Sequence, residues 1–130
     1  MVGLVIVSHS AKIAEGIKEL ALQMASDYTG LYAAGGLEDG EIGTDAVRIM
    51  DAIRSADSGD GVVVLADLGS GIMSAETAIE LLEDEGITVK IADAPIVEGA
   101  IVAAVEASVG SPLEDVLQAA EETRGVSKLM

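Results

Sequence analysis

Few residues in this chain carry distinctive chemistry. His9 is the only histidine among 130 residues, and there is no cysteine. An imidazole has two distinct nitrogens and serves near neutral pH as base, metal ligand or nucleophile. His9 stands in the run Ser8-His9-Ser10, directly after Val2 to Val7, an apolar stretch rich in β-branched residues. A second such stretch, Val62 to Ala66, ends in Asp67, followed by Leu68, Gly69, Ser70 and Gly71. A carboxylate that accepts from one ring nitrogen fixes the tautomer and leaves the other nitrogen free. Brought together, His9 and Asp67 suit acid–base work, metal binding or transfer of a phosphoryl group.

The elements that position the pair follow from periodicity. VGLVIV reads as a strand buried on both faces. Ile13, Ile17, Leu20, Ala21 and Met24 then fall at helical spacing. Gly30 to Ala34 reads as a second strand, and Gly35 to Gly43 as a glycine-rich loop. Thr44 is the expected N-cap of the next helix, with Asp45 in its first turn and Val47, Met50 and Ile53 on its apolar stripe. After the strand Val62 to Ala66, the turn Asp67 to Gly71 leads into a third helix marked by Ala75, Ala78, Ile79 and Leu82. Ile87 to Ala92 is the fourth strand. A helix with Pro95 in its first turn, capped by Asp93 or Ala94, runs to about Val109. Ser111-Pro112-Leu113-Glu114 predicts a last helix with Ser111 as N-cap, proline at the first helical position and a capping-box glutamate.

Four alternations of strand and helix predict an α/β fold over residues 1–130 as one domain. The expected form is flavodoxin-like and doubly wound, with four parallel strands in order 2-1-3-4 and helices on both faces. In that order strands 1 and 3 are neighbours, and a crevice opens beyond their carboxyl ends. His9 and Asp67 both fall there. Ser10 begins one helix, and Gly69, Ser70 and Gly71 precede another. Helix starts present unpaired N–H groups that favour an anion, and glycine lets backbone approach it closely. Phosphoryl transfer is the chemistry this setting favours. Taken singly, each feature also has an ordinary use: a structural histidine, an aspartate capping a helix, glycines in a tight turn.

Other chemistries lack parts. No GxxxxGK[ST] run is present, and GGLEDG has the wrong spacing for a dinucleotide fingerprint. One histidine without cysteine is a poor zinc set. Glu38, Asp39, Glu41 and Asp45 lack the spacing of a calcium loop and read as a solvated surface. Lys and Arg number 7 against 23 Asp and Glu, a formal charge of −16. That field repels nucleic acid and anionic membranes and steers in basic protein partners. Phe and Trp are absent, so base-stacking platforms are absent too. No apolar run spans a bilayer and no leader is evident, so the sequence reads as cytoplasmic.

The segments GLVIVSHSAKIAEGI, GGLEDGEIGTD and VVVLADLGSGIMSAE resemble the phosphotransfer subunits of phosphoenolpyruvate-dependent dihydroxyacetone kinases. These are related to the mannose-type enzyme IIA domains of the sugar phosphotransferase system. The resemblance covers nearly the whole chain. It implies a relay in which the phosphocarrier HPr, charged through enzyme I, hands its phosphoryl group to His9. The group then passes to ADP held by the nucleotide-binding kinase subunit. No cofactor or metal is expected on this chain itself, and enzyme I and carrier domains would be separate proteins. By the same resemblance His9 is the phosphorylated nucleophile and Asp67 orients it through Nδ1. Ser10, Gly69, Ser70 and Gly71 would lie next to the phosphate, with Gly43 and Thr44 at the rim. A homodimer is also implied, and Ile101, Val102, Val105 and Val109 would supply either its interface or the core. The alternative within the family is a sugar-transport enzyme IIA. Outside it stand a small metal-dependent enzyme using His9, and an adaptor acting only through its acidic surface.

Overall fold

The computed structural model describes residues 1–129. Its strands are β1 (Gly3–Ser8), β2 (Leu31–Gly35), β3 (Val62–Ala66) and β4 (Val89–Ile91). They form one parallel sheet in the order β2-β1-β3-β4, so the expected topology holds. The helices are α1 (Ala11–Met24), α2 (Ala46–Ala56), α3 (Gly69–Leu81), α4 (Ile96–Ser108) and α5 (Leu113–Glu122).

Side chains alternate across β1 and β3, and this splits the core in two. Leu4, Ile6, Val63 and Leu65 face α1, α4 and α5; Val5, Val7, Val62 and Val64 face α2 and α3. All eight are fully buried, as central parallel strands require. With no Phe or Trp to fill space, α4 approaches the sheet on Gly99, Ala100, Ala103, Ala104 and Ala107. Tyr28 lies in the core and donates its hydroxyl to the Val2 carbonyl at 2.5 Å. Of the residues expected to serve an interface or the core, Ile101 packs partly against the core. Val105 and Val109 stand exposed at 38% and 74%.

Four local expectations are corrected, the first at α4, where Pro95 is itself the N-cap rather than a first-turn residue capped by Asp93 or Ala94. Asp45, not Thr44, caps α2 by accepting from the Val47 N–H at 2.9 Å. The Thr44 hydroxyl is instead hydrogen-bonded to Ser74 of α3 at 2.6 Å. The capping box at α5 does not form: Pro112 is the N-cap, and Ser111 donates to Glu106 at 2.7 Å. Gly69, Ser70 and Gly71 are the first turn of α3 rather than a turn before it. Among the described residues no helix is long and apolar enough to cross a membrane.

Candidate functional site

The register of β1 and β3 decides what meets at their carboxyl ends. Val7 pairs with Ala66, and the Asp67 N–H donates to the Val7 carbonyl at 3.1 Å. Ser8 and His9 therefore lie beside Asp67. The His9 Nδ1 is 2.9 Å from Asp67 Oδ1, and His9 and Asp67 side chains are 21% and 14% exposed.

Asp67 is fully engaged as an acceptor. Its Oδ1 also takes the Leu68 N–H at 2.8 Å, while Oδ2 takes the His9 N–H at 3.0 Å and the Ser8 hydroxyl at 2.9 Å. Burial pushes the carboxyl pKa up, but the donors from the His9 backbone, the His9 ring, Ser8 and Leu68 outweigh it and hold the group below its ordinary range. An ionised carboxylate with two donors on each oxygen can only accept, so Nδ1 carries the proton and Nε2 of the neutral ring bears the lone pair.

A carboxyl with a folded pKa below its unfolded one contributes stability that is complete above the unfolded value. That contribution disappears as pH falls through the folded value. The gap in melting temperature between wild type and Asp67→Asn is therefore expected to stay constant down to about pH 5 and to shrink below about pH 4. Melting curves at stepped pH measure it; a gap unchanged through the acid range contradicts the assignment.

The remaining candidates take different places. The Ser70 hydroxyl lies 2.6 Å from His9 Nε2 and is exposed. Gly69 and Ser70 hold the first two positions of α3, where N–H groups have no intrahelical acceptor. Gly71 differs, because its N–H donates to the Leu68 carbonyl at 2.9 Å. A Cβ there would stand 3.1 Å from Asp67 Oδ1 and 3.7 Å from His9 Cε1, so glycine at this position leaves room for the pair. Ser10 is the N-cap of α1 and accepts from the Ile13 N–H at 3.3 Å. Gly43 donates its N–H to the His9 carbonyl at 2.8 Å, and Thr44 is held by Ser74. Both sit by the site as braces of the loop between β2 and α2.

Sequence reasoning missed Ser8 and Ser74. Ser8 is fully buried, donates to Asp67 and accepts the Ser10 N–H at 3.1 Å. The available signal was a hydroxyl at the end of a strand buried on both faces, where it must find a partner. The elements that flank the site carry exposed apolar side chains: Ile13 in α1, Ile42 in the loop before α2, Leu68 as the N-cap of α3 and Met73 within α3. Among the described residues no group of three His, Cys, Asp or Glu side chains is arranged to hold a metal ion.

The arrangement leaves His9 Nε2, the ring nitrogen away from Asp67, against the Ser70 hydroxyl in the first turn of α3. A family model described as PTS system fructose IIA component, EIIA-man, matches residues 3–117. The chain is 43% identical over 119 residues to PEP-dependent dihydroxyacetone kinase 2, phosphoryl donor subunit DhaM, of Listeria innocua serovar 6a. That match covers 91% of this chain and 95% of the relative. It is 47% identical over 121 residues to the PEP-dependent dihydroxyacetone kinase phosphoryl donor subunit DhaM of Escherichia coli strain K12, where it spans 90% of this chain but 26% of the relative. Among solved structures, the crystal structure of unknown function protein EF1359 matches with a TM-score of 0.82 at 40% identity, over 93% of each chain.

Proposed function

The chain belongs to the EIIA-man family, the PTS system fructose IIA component, and from that premise we propose that it is a phosphoryl donor subunit of a PEP-dependent dihydroxyacetone kinase. The names of relatives that match over most of this chain support the assignment. The observation that carries the chemistry is the His9 Nδ1 to Asp67 Oδ1 contact at 2.9 Å, which keeps the proton on Nδ1 and leaves the lone pair of the neutral ring on Nε2.

In the proposed relay the Nε2 lone pair attacks phosphorus on a phosphorylated carrier. A new N–P bond forms while the bond to the carrier breaks, its electron pair leaving on the carrier. The loaded ring keeps its Nδ1 proton and is positively charged, facing the Asp67 carboxylate. That charge makes the imidazole a good leaving group for the second transfer, to the terminal phosphate oxygen of a nucleoside diphosphate. Positioning and electrostatics do most of the work in phosphoryl transfer, and the unpaired amides of Gly69 and Ser70 supply donors for the incoming anion. Ser10 and Gly71 contribute their positions beside it, and Gly43 and Thr44 brace the rim.

The partners in this reading are HPr as donor and the nucleotide-binding kinase subunit as acceptor, with ADP held by that subunit. The chain acts in the cytoplasm, as a homodimer, without a cofactor of its own. The strong negative charge attracts a basic-faced carrier. A second reading, a sugar-transport enzyme IIA, draws on the family description itself. The two separate by which purified acceptor, kinase subunit or sugar permease component, discharges the loaded chain.

The test is incubation with phosphoenolpyruvate, enzyme I and HPr, followed by intact mass and peptide mapping. One acid-labile phosphoryl group on His9 is the expected result. An unmodified chain beside phosphorylated HPr overturns the relay.

A further inference from the structure

The hydroxyl of Ser70 occupies the place where phosphorus must arrive. It lies 2.6 Å from His9 Nε2, close to the shortest hydrogen-bond distance for such atoms. Its role as donor follows from the other end of the ring. Asp67 receives Nδ1 together with the Leu68 N–H on one oxygen, and the Ser8 hydroxyl and His9 N–H on the other. No lone pair of that carboxylate is left to share a proton, so Nδ1 keeps its own and Nε2 of the neutral ring accepts. Ser70 therefore points its O–H into the lone pair that does the chemistry.

We propose that Ser70 is a positioning residue with two settings: in the unloaded chain its hydroxyl covers the Nε2 lone pair, and in the loaded chain it turns to donate to a phosphoryl oxygen. The second setting rests on the relay reading; the first does not. Its side chain is exposed at the second position of α3, so a turn about χ1 meets no packed neighbour and is fast against any transfer step. A lone pair already holding a proton donor is a weaker nucleophile, and a hydroxyl at that distance bars a phosphorus atom sterically. The unloaded site is thus shielded from small electrophiles, and a docked partner must displace the hydroxyl before transfer. Once the anion is in place, the same hydroxyl finds a charged acceptor, a stronger partner than a neutral nitrogen.

Two measurements test the settings separately. Diethyl pyrocarbonate acylates imidazole nitrogen, and its absorbance signal reports His9 alone because no other histidine is present. Ser70→Ala is expected to react about 2- to 10-fold faster than wild type, the worth of one neutral hydrogen bond. Ser70→Thr, which restores a hydroxyl, is expected to return toward the wild-type rate. Equal or slower reaction of Ser70→Ala overturns the covering role, whatever becomes of the relay. The second measurement loads the chains with phosphoramidate. The Nε2–P bond forms as the P–N bond of the reagent breaks, and the leaving nitrogen takes a proton from water and departs as ammonia. The phosphoryl group is expected to hydrolyse several-fold faster from Ser70→Ala than from wild type or Ser70→Thr; matching lifetimes overturn the second setting. Failure of HPr to load any of the three chains would count against the relay alone, since neither measurement uses it.

Discussion

His9→Gln is expected to accept no phosphoryl group, and Asp67→Asn to accept one about four orders of magnitude more slowly than wild type, the size of effect seen when an orienting aspartate becomes asparagine and the tautomer is wrong. An asparagine fits the space but has only one acceptor atom. Ser8, His9 and Leu68 between them direct three further donors at the carboxylate besides the ring. The amide oxygen keeps the most donors in the Oδ2 place, where the Ser8 hydroxyl and the His9 N–H converge, and this turns the NH2 group toward Nδ1 and the Leu68 N–H. A ring nitrogen facing a donor gives up its proton, the proton moves to Nε2, and the nucleophilic lone pair is lost. Single-turnover loading from phosphorylated HPr measures the rate, and ring nitrogen shifts of labelled His9 report the tautomer. Loading of Asp67→Asn within tenfold of wild type would show that carboxylate orientation is not what activates the ring.

Leu65→Ala carries the largest expected loss of stability, about 2–5 kcal/mol. Leu65 is fully buried near the carboxyl end of β3, and a Cβ on Gly99 would come within 2.6 Å of its Cδ2. The buried residues of α4 are one glycine and four alanines, which have no longer side chain to extend into the space left behind. Against a typical stability of about 5–15 kcal/mol, the loss is a large share. Gly99→Ala alone overpacks the same spot and is expected to cost about 1–3 kcal/mol. Placed together, the new methyl enters the vacated volume, so the double variant should be more stable than the sum of the two losses predicts. Urea midpoints of the four proteins measure the coupling; strict additivity would mean that the two residues do not share this space.

The fold was legible because its strongest signals are local. VGLVIV and VVVLA form strands covered on both faces, as their patterns imply, and Ile17 and Ala21 take the buried side of α1, whereas Ile13, Leu20 and Met24 of the expected stripe stand exposed. Handedness and short connections then leave few orders, and His9 and Asp67 fall at the ends of neighbouring strands. What sequence could not give was the choice among competing local partners. Thr44 and Asp45 are both competent caps, and a hydroxyl on α3, Ser74, decides between them. Ser111 begins a sound capping box yet spends its hydroxyl on Glu106 of the preceding helix. Gly71 belongs to an apparent anion-binding turn, but its N–H is used within the first turn of α3. In each case a partner elsewhere in the structure, or one more residue of helix, outbids the local rule.

The two donors on each oxygen of Asp67 also hold the imidazole at a fixed angle, with Nε2 looking out along a single line. On the proposed relay, giver and taker must use that line in succession, so no ternary complex can carry the reaction. Turnover is then of the ping-pong kind. Each partner in its spent form becomes a competitive inhibitor of the other, and flux is set by how quickly a discharged guest vacates the doorway.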